Sequence, residues 1–261
     1  MFKRTVNKVL NPFGYEIHKT SKSNFPVEIS EDEKKFMSDI LYPIGLFSNS
    51  KPLSMVSIER LWAAISATKY VVENDIEGDM VECGVWRGGC ALAISKTLQK
   101  LGSNKKVYLF DTFEGMTKPT FFDKKSSSKL NAFEKFKELQ KDNHNEWCYA
   151  SLEDVKNSFA KYNLLSNATF IKGDVKKTLK KIRNIPPKIA LLRLDTDWYE
   201  STKLELEILY PLLQSKGVLL IDDYGYWEGA RKAVDEYMNN LDLTKKPMQW
   251  VLDSTGRGYI K

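Results

Sequence analysis

Five apolar runs, in chain order, each carry an acid at the end: GDMVEC, KVYLFD, ATFIKGD, IALLRLD and GVLLIDD. The acids are Glu82, Asp111, Asp174, Asp195 and the pair Asp222–Asp223. Stretches with apolar residues at helical spacing lie between the runs. Strand-length runs that are apolar at nearly every position are buried on both faces, and strands alternating with helices give a parallel sheet covered by helices on both sides. The spacing predicts strands over 78–83, 106–111, 168–174, 189–195 and 217–223. It predicts helices over 54–74, 90–101, 199–213 and 227–240, and a terminal hairpin from 248–253 and 258–261. In such a sheet ligands bind beyond the carboxyl ends of the strands. One acid there is commonplace, because Asp is a favoured helix N-cap. Five acidic strand ends on one rim mark a site.

The 261 residues suffice for one large domain. We expect an N-terminal arm or lid segment over 1–53 and the main domain over 54–261. Residues 116–150 are too long for a plain strand-to-helix loop and read as a lid-like insertion. Helical spacing of Leu130, Phe133, Phe136 and Leu139 implies that it is partly ordered, with KKSSSK at 124–129 as a solvated tip. The net charge of +6, from 40 basic and 34 acidic residues, is too mild to argue for nucleic acid. Three cysteines without zinc spacing suggest neither a disulfide framework nor a metal finger and fit a reducing, cytoplasmic compartment. No run approaches the roughly 20 apolar residues of a membrane span, so no stable membrane insertion is expected. The first 19 residues are too broken for a signal-peptide core.

The turn after the first strand, CGVWRGG, allows close backbone approach at Gly84. It is neither GxGxxG nor GxxxxGK[ST], which disfavours a pyrophosphate cradle and excludes a P-loop. Asp111 stands where an acid can accept hydrogen bonds from a ribose diol, and Asp174 can meet an adenine edge. An adenosine signature without a phosphate signature fits S-adenosylmethionine. An NAD-dependent reductase is disfavoured, because a Tyr-x-x-x-Lys pair is missing as well.

The blocks VECGVWRGG, LFDTFEGM, SLEDV, GDVKKTL, LRLDTDWYEST and LLIDDYGYWEGARKAVDEY occur in order over roughly residues 54–240. Together they resemble the macrocin O-methyltransferase (TylF/MycF) family. The resemblance implies an α/β, Rossmann-like class I methyltransferase fold with a mostly parallel seven-stranded sheet and an antiparallel C-terminal hairpin. It also implies S-adenosylmethionine, magnesium or another divalent cation, and a sugar or glycan-precursor hydroxyl as acceptor, in a homo-oligomer. By the same resemblance Glu82, Cys83 and Gly84 belong to the methionine end of the donor site, Asp111 and Thr112 to the ribose, and Ser151 and Asp174 to the adenine. Asp195, Asp222 and Asp223 become metal ligands and Asp197 the general base, with the division between Asp195 and Asp197 left open. If Asp195-Thr196-Asp197 is extended, both carboxylates point the same way, so that one can hold metal and the other face substrate.

Plainer readings stand beside these. Asp195, Asp197 or Asp223 could each cap a helix, Cys83 could be a small core residue, and the aromatics at 198–199 and 224–227 could be packing. A catechol-type methyltransferase also needs adjacent oxygens on its acceptor, and a non-catalytic binding module could keep the fold.

Overall fold

The computed structural model describes residues 25–42, 51–125 and 131–261. Most of the expected arm, at 1–24 and 43–50, and most of the lysine-serine tip, at 126–130, lie outside the described residues. The chain divides into compact units at 1–35 and 36–261. Across the boundary runs helix α1 (Glu31–Leu41), whose first turn carries Glu31, Asp32 and Glu33, acids that suit the positive end of a helix dipole.

The second unit is built on seven strands: β1 (Asp79–Cys83), β2 (Val107–Asp111), β3 (Ala168–Lys172), β4 (Ile189–Leu194), β5 (Leu213–Ile221), β6 (Met248–Val251) and β7 (Arg257–Ile260). Their order is β3-β2-β1-β4-β5-β7-β6. The first five run parallel, and β7 pairs antiparallel with both β5 and β6. From β1 the chain winds outward to β2 and β3, then returns to the other side of β1 as β4. The carboxyl ends of β1 and β4 therefore flank the point where the winding reverses, which is where an open sheet leaves a crevice.

Two cores cover the sheet. Helices α2 (Ile58–Glu73), α3 (Gly89–Lys100) and α5 (Leu152–Lys161) supply Ala64, Val71, Leu92, Leu98 and Phe159 to one face. Helices α7 (Tyr199–Leu209) and α8 (Glu228–Asn239), with the single turn α6 (Val175–Thr178), supply Leu206, Leu209, Val234 and Val175 to the other. The insertion contributes α4 (Ala132–Glu138), whose Ala132, together with Trp147 from the loop that follows, packs on Trp198, Trp227 and Ala230.

Local chemistry explains the boundaries. Helix α2 starts at Ile58 rather than 54 because the Ser57 hydroxyl accepts the Arg60 amide as an N-cap. Helix α7 stops short of the expected 213 because Pro211 turns it into a 3-10 segment, Tyr210–Leu212. Strands β3, β4 and β5 end at Lys172, Leu194 and Ile221. Asp174, Asp195, Asp222 and Asp223 thus sit one or two residues past the strands, in the turns.

Candidate active site

Side chains alternate along a strand, so Glu82, Arg193 and Asp222 project from one face of the sheet. Glu82 and Arg193 are register partners on β1 and β4. The Arg193 guanidinium is buried and donates to Glu82 Oε1 at 2.5 Å, to Asp222 Oδ1 at 2.5 Å and to Asp195 Oδ2 at 2.8 Å. Arg60, from the first turn of α2, donates to Asp222 Oδ2 and, through Nε, to Asp253 Oδ2 at 2.9 Å. Asp253 closes the β6–β7 turn by accepting the Thr255 and Gly256 amides. Neither arginine stood out in the sequence. Arg193 interrupts an otherwise apolar strand, and that was the available signal: a cation buried in a central strand requires carboxylates around it.

The expected extended Asp-x-Asp is not what forms. Strand β4 ends at Leu194, and the Trp198 amide donates to the Thr196 carbonyl at 2.7 Å. This closes a γ-turn centred on Asp197, which has φ 66°, the rarer and strained sense of that turn. Asp195 and Asp197 are separated by this turn rather than by strand pleating. Asp195 faces Arg193, while Asp197 Oδ1 accepts the Trp227 indole N–H at 2.5 Å. Positive φ recurs around the crevice at Trp86, Phe113 and Cys148. Backbone strain of this kind gathers where a site is held in shape by its surroundings.

None of these acids caps helix α7. Its first amide, on Tyr199, donates to Asp123 Oδ1 at 2.7 Å, and Asp123 comes from the insertion. A Cβ at Gly229, in the first turn of α8, would collide with the same Asp123 oxygen, so glycine is what lets the insertion reach both helices. The insertion performs the capping and leaves Asp195, Asp197 and Asp223 free of it.

One carboxylate oxygen from each of Asp195, Asp222 and Asp223 lies within 4.8 Å of the other two. Asp223 Oδ2 and Glu82 Oε2 are buried with no hydrogen-bond partner. Burial, reinforced by Asp197, Asp195 and Asp222, pushes the Asp223 carboxyl well above the ordinary range. Burial and then the Asp195 charge raise Asp197 against the pull of the Trp227 hydrogen bond. Burial outweighs Arg193 and pushes Glu82 up to about 8. The floor holds five carboxyl groups (Glu82, Asp195, Asp197, Asp222, Asp223) and two guanidiniums. That excess of acid, with two orphaned oxygens, fits a hard divalent cation, which takes oxygen donors.

Two clefts meet at Asp195 and Asp197. One, about 100 Å³, is lined by Gly84, Trp86, Asp111, Thr112, Asp174 and Ser201, among others. The other, about 330 Å³, is lined by Glu82, Arg60, Lys135, Trp147, Tyr226 and Trp227 together with the acids. In the first, Asp111 accepts the Val85 amide at 2.7 Å, the Trp86 amide at 3.0 Å and the Phe113 amide at 2.7 Å. The Thr112 hydroxyl donates to the Gly115 carbonyl at 2.6 Å. Gly84 has φ 84°, and a Cβ there would strike the Asp195 carbonyl, so only glycine lets the ends of β1 and β4 come this close. Asp174 caps α6 by accepting the Lys176 amide and lines the cleft as well.

Of the expected donor residues, Glu82 lines the second cleft rather than the first, and two are brought to neither. Cys83 is fully buried in the core on the face opposite Glu82. Ser151 caps α5, accepting the Asp154 amide. Glu205, unnoticed in the sequence, is fully buried on α7, and its two oxygens receive the Thr196 hydroxyl at 3.0 Å each.

A seven-stranded sheet in this order, with an acid-lined crevice at its reversal point, defines a class I methyltransferase fold. Residues 19–260 match the model of the macrocin-O-methyltransferase (TylF) family, and the chain belongs to that family of S-adenosylmethionine-dependent methyltransferases. It is 32% identical over 205 residues to 8-demethyl-8-(2,3-dimethoxy-alpha-L-rhamnosyl)-tetracenomycin-C 4'-O-methyltransferase of Streptomyces olivaceus, covering 78% of this chain and 73% of the relative. It is 30% identical to mycinamicin III 3''-O-methyltransferase of Micromonospora griseorubida, covering 73% and 72%. Among solved structures, the O-methyltransferase NovP superposes with TM-score 0.70 at 28% identity, over 81% of this chain and 83% of that one.

Proposed function

We propose that the protein transfers a methyl group from S-adenosylmethionine to a hydroxyl of a sugar or glycosylated small molecule, with a divalent cation held by Asp195, Asp222 and Asp223. The observation that carries this reading is the meeting of the two clefts at Asp195 and Asp197. The sugar-modifying relatives support the choice of acceptor. Donor and acceptor would lie in separate compartments whose shared wall is the acid pair, so a hydroxyl there faces the methyl group.

A dication bound there would lower the pKa of an acceptor hydroxyl and offset the repulsion among the acids. The remaining work belongs to the chain. Asp197, aimed by the γ-turn and held by the Trp227 indole, is placed to take the hydroxyl proton on a carboxylate oxygen. Arg193 fixes Asp195 and Asp222 in orientation. Asp111 gathers the Val85, Trp86 and Phe113 amides and so shapes the turn against which the donor packs. Its Oδ2 takes the Val85 and Trp86 amides, so it is Oδ1, which takes the Phe113 amide, that keeps capacity for a ribose hydroxyl. Trp147, Trp198 and Trp227, with ring centroids 4.9 to 6.0 Å apart, close the crevice on the insertion side and exclude water.

Calorimetric titration with S-adenosylmethionine, followed by methyl-transfer assays on sugars with and without EDTA, tests the proposal. Donor binding and EDTA-sensitive transfer are expected. Transfer that survives EDTA would remove the cation from the account, and absence of donor binding would overturn the reading itself.

A further inference from the structure

The acceptor cleft has opposite charges at its two ends. Its floor is acidic and its cations are spent: Arg193 is shared by Glu82, Asp195 and Asp222, and Arg60 by Asp222 and Asp253. Its insertion side carries Lys135, which lines the cleft and stands with Nζ 4.3 Å from the centroid of the Trp147 ring. Lys125, on the same insertion, stands 4.5 Å over the ring of Tyr226, another wall residue. Both lysines are half-buried, and among the described residues neither forms an ion pair with a carboxylate. Both stay without a carboxylate partner although the floor beside them holds acid in excess.

Resting on the methyltransferase reading above, we infer that the acceptor is a phosphorylated sugar. Its phosphate or diphosphate meets Lys135, with Lys125 beside it, while the hydroxyl to be methylated faces the acids. The arrangement also orients the acceptor. An anion is repelled by the floor and drawn to the lysines, so the sugar enters hydroxyl first.

The test measures affinity directly, so that it does not depend on turnover. Protein loaded with S-adenosylhomocysteine and magnesium is titrated with methyl glucoside, glucose 1-phosphate and UDP-glucose. The phosphorylated probes are expected to bind about tenfold or more tightly than the neutral one, the worth of one charge-assisted hydrogen bond. Comparing the two phosphorylated probes distinguishes a simple sugar phosphate from a nucleotide sugar. Lys135→Gln should bring the ratio of affinities close to one, Lys135→Arg should restore it, and Lys125→Gln should reduce it part-way. Lys137→Gln, on the same helix but over the Phe133 ring, should leave the ratio in place. Added salt should shrink the ratio in the unaltered protein. Equal affinity for neutral and phosphorylated probes, no binding of any of them, or a ratio that survives Lys135→Gln would overturn the inference. Titration with S-adenosylmethionine alone reports separately on the methyltransferase reading.

Discussion

The two clefts share a wall but differ in how their polar groups are satisfied. On the donor side Asp111 gathers three backbone amides, the Thr112 hydroxyl has its carbonyl, and Asp174 caps a helix turn. On the acceptor side five carboxyl groups confront two guanidiniums, and buried oxygens of Glu82 and Asp223 have no partner. The first cleft is a finished surface, ready for a ligand that asks little of it. The second keeps an electrostatic debt that only a bound cation, a proton or a substrate removes. Buried polar groups are normally paired, so the orphaned atoms point to where the chemistry lies.

Substitutions should separate the two sides. The largest effect is expected at Asp197. Asp197→Asn should lower turnover at least about a hundredfold, the usual range for a lost general base, with donor affinity nearly unchanged by calorimetry. If turnover persisted, Asp197 would have no part in proton transfer. Next comes Trp227→Phe, which keeps the ring but removes the N–H that holds Asp197. A fall of about tenfold in kcat with little change in KM is expected, as for one hydrogen bond to a charged group. A change in KM alone would show that the indole acts on binding instead.

On the donor side, Asp111→Asn replaces one acceptor oxygen with an amide that faces the amides of the Gly84 turn. S-adenosylmethionine should bind about tenfold more weakly, whereas Mg²⁺ affinity should be unaffected. Parallel loss of both would mean that the two clefts are one coupled unit.

The smallest effect concerns Glu205, buried behind Thr196 of the first cleft. Burial raises its carboxyl to about 8. A carboxyl raised on folding binds its proton more tightly in the native state, so its cost to stability grows as pH climbs from 4.5 towards 8. Glu205→Gln should therefore raise Tm near pH 8, and the gain should fade below pH 4.5. A Tm difference independent of pH would mean that packing, not charge, sets the effect.

The fold was legible because both-face burial writes itself as continuous apolar runs, and the order of those runs matched the order of the strands. The crevice was legible for the same reason, since the acids follow the runs. Less could be read where contacts join distant segments. Arg193 was hidden inside an apolar run, and its role depends on Glu82 across the sheet and on Asp222 beyond the next strand. Arg60 sits 162 residues from Asp222. Asp123 lay in a segment without a clear pattern, yet it caps α7 and frees the neighbouring acids from that task. The resemblance brought Cys83 and Ser151 into the donor site as members of the matching blocks VECGVWRGG and SLEDV. Strand alternation sends the Cys83 side chain into the core, and capping occupies the Ser151 hydroxyl. The γ-turn at Asp197 depends on a strained φ that residue types do not announce.

The central claim is that the excess of acid on the acceptor side, five carboxyl groups against two guanidiniums, awaits a divalent cation. Soaking crystals of the protein with Mn²⁺ and mapping its anomalous scattering tests this most directly. The account predicts one strong peak enclosed by the carboxylates of Asp195, Asp222 and Asp223, lost in Asp223→Asn. A map with no peak there, and only Arg193 and Arg60 holding Asp195 and Asp222, would contradict it.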